Sequence, residues 1–364
     1  MFTVRLILLL IFFTIILCGP DVFGSTTDSE DSIKYHDGHE FVIVGKYHDE
    51  KNYNRLPIRY KEKVRKEVWD LGQNSAGISI RFRSNARTLI IRWSVMNDAV
   101  LPHMPSTGVK GLDLYAYSDD RWQYVKTAIP KGKSSERILF SNKDGITREY
   151  LLNLPLYDGV ESLQIGINTA ASISVPHEKY LLEKKPVVYY GTSIAQGGCA
   201  SRPGMLFTNL MARALDRSFI NLGFSGNGRI ESAVGEAMCE VDAALYVIDC
   251  NPNTDTELIY DRTMELVQML RKQRPDAPVL LVAGFPDDSR YFVTGGNQPV
   301  EAKTRELKRA FKSLRKSGVQ KLYFQKGVDL IGKDHEGTVD GIHPNDVGMM
   351  RIAEELLPVI KKLL

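Results

Sequence analysis

The run Val187-Val188-Tyr189-Tyr190-Gly191-Thr192-Ser193 reads as a strand that stops abruptly. Four β-branched or aromatic residues in succession, with no polar alternation, fit a strand buried on both faces. A glycine-led loop, Gly191-Thr192-Ser193-Ile194-Ala195-Gln196-Gly197, follows at once. Further strand-like runs at residues 219–222, 243–248, 279–283 and 322–325 alternate with helical patterns at 205–215, 230–238, 257–273, 301–316 and 346–363. Strands alternating with helices of this size predict a parallel sheet covered on both sides. Five such strands predict an α/β, flavodoxin-like three-layer domain over residues 185–364. In that architecture ligands gather beyond the carboxyl ends of the strands, where the strand order reverses.

Upstream the texture differs. From residue 40 to about 174 short runs such as Ile78-Ser79-Ile80-Arg81-Phe82 and Leu112-Asp113-Leu114-Tyr115 alternate apolar and polar positions between turn residues. Many half-buried strands in succession predict an all-β, jelly-roll-like sandwich, placed at residues 33–180, with almost no helix. The hinge at 178–185 is short and charged, with no Gly or Ser, which favours fixed packing of the two domains. At the start, residues 6–17 are apolar except for Thr14, too short a run to span a bilayer core. Val22-Phe23-Gly24 offers small residues where signal peptidase reads, so residues 1–24 read as a secretory signal and the protein as secreted or periplasmic. A lipoprotein signal ending at Cys18 is disfavoured by bulky Leu17.

Composition narrows the class. Lys+Arg 47 against Asp+Glu 44 gives a net charge of +3 in 364 residues, without a basic block, which argues against a nucleic-acid binder. Outside the signal three cysteines remain, Cys199, Cys239 and Cys250, without a C-x-x-C pair. Neither a disulfide scaffold nor a zinc knuckle is indicated. Cys199 and Cys250 both fall in loops at the predicted rim, where one disulfide is conceivable.

Four segments sit where strands meet that rim. They are Gly191-Thr192-Ser193, Gly223-Phe224-Ser225-Gly226, Asp249-Cys250-Asn251-Pro252-Asn253 and Asp340-Gly341-Ile342-His343-Pro344. Singly each is weak, since glycine loops are usually turns and a lone Asp or Asn usually caps a helix. In this order they resemble the blocks of the SGNH (GDSL-type) hydrolases. Gly111-Leu112-Asp113-Leu114-Tyr115 is similar to the Gly-x-Asp-Leu-Tyr motif of a β-rich domain preceding one branch of that family. Two departures stand out. Thr192 replaces the usual Asp beside the nucleophile, and the third block lacks its Gly-x-Asn-Asp form. Counting from the strand start favours Asn251 as its functional residue, whereas the pattern of the branch favours Asn253, the preferred choice.

The resemblance implies a serine hydrolase with Ser193 as nucleophile, His343 as base and Asp340 orienting the imidazole. The oxyanion donors would be the amides of Ser193 and Gly226 and the side chain of Asn253 or Asn251. Arg202, close behind the nucleophile, is a candidate substrate contact. No metal or organic cofactor is implied; His335 could join Asp340 and His343 on a metal, but no helix sets them on one face. The other histidines, His103 included, suggest no chemistry. The implied activity is removal of short acyl groups, O-acetyl above all, from carbohydrate. Lipid or thioester acyl hydrolysis is the alternative, with no apolar lid evident; a non-catalytic sugar-binding protein is a third reading, which the intact Ser, Asp and His disfavour.

Overall fold

The computed structural model describes residues 32–176 and 184–364; the expected signal and residues 178–183 of the expected hinge lie outside them. In chain order the first half comprises β1 (Ile33–Asp37), β2 (Val42–Val44), α1 (Lys66–Gly72), β3 (Ser79–Ser84), β4 (Leu89–Val95), α2 (Ser106–Val109), β5 (Leu112–Ser118), β6 (Arg121–Ala128), β7 (Ser134–Phe140), β8 (Arg148–Asn153), β9 (Val160–Asn168) and β10 (Ile173–Ser174). One antiparallel sheet has the order β1-β9-β4-β7; the other runs β10-β3-β8-β5-β6, with β2 added to β3. Alternate residues turn inward along each strand, so Ile80 and Phe82 meet Ile91, Trp93, Leu163 and Ile165 in one core.

The second half comprises β11 (Val187–Gly191), α3 (Ser193–Gln196), α4 (Phe207–Leu215), β12 (Phe219–Gly223), α5 (Ser232–Glu240), β13 (Leu245–Asp249), α6 (Thr256–Gln273), β14 (Val279–Val282), α7 (Gln298–Lys316), β15 (Leu322–Gln325) and α8 (Asp346–Leu363). The five parallel strands take the order β12-β11-β13-β14-β15. Connections therefore leave β11 in one direction and return on its other side, which places the reversal of strand order beside β11. Gly191 is level with Gly223 on one neighbour and Asp249 on the other, so three strand ends open at one height. Both faces are covered. Val188, Tyr190, Leu222 and Ile248 pack under α5, α6 and α7, while Val187, Tyr189 and Val247 pack under α4 and α8. That is why β11 reads as an unbroken apolar run. Among the described residues no helix is long and apolar enough to cross a membrane.

The near-absence of helix expected in the first half does not hold for residues 56–72. Leu56, Tyr60, Val68 and Trp69, three of them fully buried or nearly so, belong to the core beneath α5 and α6 and not to the sandwich. The sequence signal was weak because α1 is only seven residues long. Arg55 ties the same segment down. Its fully buried guanidinium donates to Leu71 O at 2.6 Å, Asn74 O at 2.9 Å, Asn221 Oδ1 at 3.4 Å and to Gly223 O across the domain boundary. Asp113 of β5 makes a second joint: its Oδ2, wholly buried, accepts Arg202 Nη1 at 2.5 Å and Gly204 N at 2.9 Å.

A chain beginning at Lys185 lacks Leu56, Tyr60, Val64, Val68 and Trp69, which complete one face of the sheet. We expect it to aggregate or to melt without a cooperative transition, measured by circular dichroism and size-exclusion chromatography. A soluble monomer with a sharp transition would show that the first half is dispensable to that core.

Candidate active site

The end of β11 and the start of α3 present Ser193. Thr192 caps the helix, its Oγ1 accepting the Ile194 N–H at 3.3 Å, so the threonine found in place of Asp still organises the turn. Ser193 Oγ lies 2.9 Å from His343 Nε2, and His343 Nδ1 lies 2.7 Å from Asp340 Oδ2. The three residues expected to act together are thus brought together. Asp340 also grips the backbone, its Oδ1 accepting the N–H groups of His343 at 2.8 Å and Ile342 at 3.1 Å. Burial works to raise the Asp340 carboxyl, yet these bonds hold it below its ordinary value. An ionised Asp340 keeps the imidazole proton on Nδ1, which leaves the Nε2 lone pair facing the serine.

The loop after β12 folds back over this turn. Phe224 N–H donates to Gly191 O at 3.0 Å and Ser225 N–H to Gln196 Oε1 at 3.0 Å, which holds the chain leading to Gly226 against β11 and α3. Gly226 has φ +67°, and a Cβ there would meet no atom within 4 Å. Left-handed backbone rather than crowding requires glycine at this position. The N–H groups of Ser193 and Gly226 have no partner among the described residues.

The third block settles its geometry through a turn. The N–H groups of Asn253 and Thr254 both bond Cys250 O at 3.3 Å, so the backbone bends immediately after β13. Asn251 is 1% exposed, and neither its Nδ2 nor its Oδ1 has a partner. Asn253 buries only its Oδ1 in this way, leaving its Nδ2 as the accessible amide donor of the pair.

Other expectations fare differently. Arg202, the candidate substrate contact, is held between Asp113 and the hydroxyl of Tyr115 at 2.7 Å, with its guanidinium 4.2 Å over the Tyr124 ring. A buried carboxylate demands a cation, and Arg202 supplies it. Asp113 and Tyr115 of the Gly-x-Asp-Leu-Tyr motif thus serve as its anchor. Cys199 and Cys250 are both buried and free, so the conceivable disulfide does not form. His335 pairs with Asp288 at 2.8 Å rather than approaching Asp340 and His343 on a shared metal.

Two neighbours escaped the sequence reading. Tyr157 OH donates to Ser193 O at 3.2 Å, and the His103 ring lies 5.5 Å from that of His343. Both come from loops of the first half, with no local motif to flag them. A cavity of about 230 Å³ is lined by Ile194, the residue after the serine, by Phe285, Val300 and Ile342, by Asn251 and Asn253, and by the charged Asp287, Arg290 and Lys303. A hydroxyl bonded to an oriented imidazole, with unpaired amides nearby, is equipped for acyl transfer.

Comparison with known proteins agrees. The GDSL-like lipase/acylhydrolase family model matches residues 184–361, and the model for the N-terminus of SGNH-type esterases matches residues 33–173. A Bacteroides ovatus protein assigned as a GDSL-like lipase is 36% identical, with 91% of this chain and 98% of that one covered at a TM-score of 0.87. This chain belongs to the GDSL-like lipase/acylhydrolase family. A salicylyl-acyltransferase from a tetracycline biosynthetic pathway shares the fold at 18% identity, covering 93% of this chain and 96% of its own, with a TM-score of 0.73. A family two carbohydrate esterase from Clostridium thermocellum, solved with cellohexaose, does so at 15% identity, 79% and 92% coverage and a TM-score of 0.58. No curated protein matches the sequence.

Two predictions follow from these strand ends. Asn253→Ala should lower kcat by about two to three orders of magnitude with little change in KM, as expected for a donor used in the transition state. Asn251→Ala should mainly alter stability, and a kcat loss confined to it would reverse the assignment. The second concerns Asp249, bonded by the Tyr189 hydroxyl at 2.8 Å. Burial pushes its carboxyl up from 3.8 to about 7, although that bond pulls the other way. Between those values the folded state holds the proton more tightly, so stability falls as pH rises across this window. Asp249→Asn should therefore raise Tm relative to wild type at pH ~8 and leave it unchanged near pH ~4. An unchanged Tm difference across that range would show that the ionisation is not costly.

Proposed function

We propose that the protein is an exported serine ester hydrolase that removes short acyl groups, O-acetyl above all, from carbohydrate. The observation that carries the reading is the continuous bonding from Asp340 through His343 to Ser193, at 2.7 and 2.9 Å. In the first step His343 Nε2 takes the Ser193 proton as Oγ attacks the ester carbonyl. The negative oxygen that forms accepts from the Ser193 and Gly226 N–H groups and from Asn253 Nδ2. The imidazolium, stabilised by Asp340, then gives its proton to the departing alcohol, leaving an acyl group on Ser193. Water, activated by the same imidazole, attacks that acyl-enzyme and releases the acid. Support for carbohydrate comes from the fold shared with the carbohydrate esterase, and support for export from the apolar run at residues 6–17.

A second reading, hydrolysis of longer acyl groups, is favoured by the cavity. About 230 Å³ is several times the volume of a methyl group, and the exposed run Tyr291-Phe292-Val293 follows Arg290 of its lining. An ester series of increasing acyl length on one alcohol separates the two readings. A kcat/KM greatest for acetyl supports the first, and one rising towards medium chains supports the second. Ser193→Ala should abolish turnover of every member while preserving the melting transition. Hydrolysis at the wild-type rate by that variant would overturn the serine mechanism.

A further inference from the structure

Cys199 is buried next to the proposed catalytic base, and the hydrolytic steps leave its thiol unused. The loop that carries it is shaped to bring it there. Gly197 and Cys199 both have left-handed backbone, φ 109° and 69°, and a Cβ on Gly198 would lie 3.2 Å from His343 Cδ2. A left-handed cysteine costs conformational energy that neighbouring contacts must offset. The Cys199 thiol donates to His103 O at 3.3 Å, fixing the first-half loop that presents the His103 imidazole. That imidazole makes no side-chain hydrogen bond among the described residues. A ring nitrogen of His103, the sulfur of Cys199 and a ring nitrogen of His343 all lie within 4.8 Å of one another.

We propose that His103, Cys199 and His343 form an inhibitory site for a thiophilic transition-metal cation, zinc(II) in the first instance, which takes the base out of use. Two nitrogens and one sulfur form a donor set for borderline-soft cations, and it disfavours magnesium or calcium. Zinc holds sulfur at about 2.3 Å and nitrogen at about 2.0–2.1 Å, which places tetrahedral ligand atoms roughly 3.3–3.6 Å apart. Side-chain rotations that close the cluster by about an ångström suffice. The His343 Nδ1–H bond to Asp340, 2.7 Å long, is the outer-shell arrangement that suits a metal-bound imidazole. Ser193 Oγ, 2.9 Å from His343 Nε2, or a water can take the fourth position. On binding, the Cys199 thiol releases its proton to solvent as the sulfur–zinc bond forms. The Nε2 lone pair goes to the metal, so it can no longer accept the serine proton. Inhibition therefore rests on the hydrolase reading, whereas metal binding does not.

Two measurements test the site. Cobalt(II) added to the full chain should give a near-ultraviolet thiolate-to-metal charge-transfer band, lost in Cys199→Ala and weakened in His103→Ala. Zinc(II) should suppress hydrolysis of a short acetyl ester at least tenfold, with recovery on adding EDTA, while Cys199→Ala, measured against its own zinc-free rate, needs roughly tenfold more zinc. The absence of a cobalt–thiolate band in wild type would overturn the proposal even if no ester were turned over. Equal zinc sensitivity of wild type and Cys199→Ala would overturn it as well. If Cys199→Ala does not fold, a weakened or lost band in His103→Ala supports the site, and an undiminished band refutes it.

Discussion

A carboxylate with no exposure to water must find charge and hydrogen bonds inside the protein, and Asp113 finds all of them at the domain boundary. Its Oδ2 takes Arg202 and the Gly204 amide, and its Oδ1 takes the Asn153 side chain at 2.8 Å. Arg202 and Gly204 belong to the segment that leaves α3, so one buried charge joins a sandwich strand to the chain immediately behind the serine. The neighbouring Ser201 is held from the other side, its N–H donating to Asp346 Oδ1 at 2.9 Å at the start of α8. The stretch just after Cys199 is thereby held from two sides, by the first half and by the helix that follows His343.

The site depends on that frame because its parts come from separate places. Ser193 follows β11, Gly226 follows β12, Asn253 follows β13, and the Asp340–His343 pair precedes α8. Their common height is set by strand register, which aligns Gly191 with Gly223 and Asp249. Tyr157 and His103 add a wall from the first half. Hydrogen bonds of 2.7 to 2.9 Å along Asp340, His343 and Ser193 tolerate little relative movement of the strand end and the loop that carry them.

Much of this was legible in the sequence. The residues of β11, β13 and β14 announce themselves because strands buried on both faces leave apolar runs, and α8 was placed at its observed bounds. Ser193, Asp340 and His343 were found because each stands in a short local block. The ion pair of Arg202 escaped notice for the opposite reason: its partner Asp113 is 89 residues away, and nothing local signals a buried ion pair. The same holds for His103, which meets His343 only through the fold, and for residues 56–69, whose apolar positions look like sandwich residues until the second core is seen. Which of the Asn251 and Asn253 amides reaches solvent was not legible, because it is a property of the bend after β13 and not of spacing.

Arg55 donates to Gly223, 168 residues further along the chain, and the segment around it lies in a core otherwise built from later residues. Contacts of such long sequence separation form late and slowly. As the chain emerges, its first half cannot finish folding on its own schedule, because Tyr60, Val68 and Trp69 have nothing to pack on until β12 and α5 arrive. During that interval an apolar stretch is exposed to neighbouring chains. An interlocked architecture makes the two halves kinetically interdependent during synthesis, and slow delivery of the second half prolongs the aggregation-prone period.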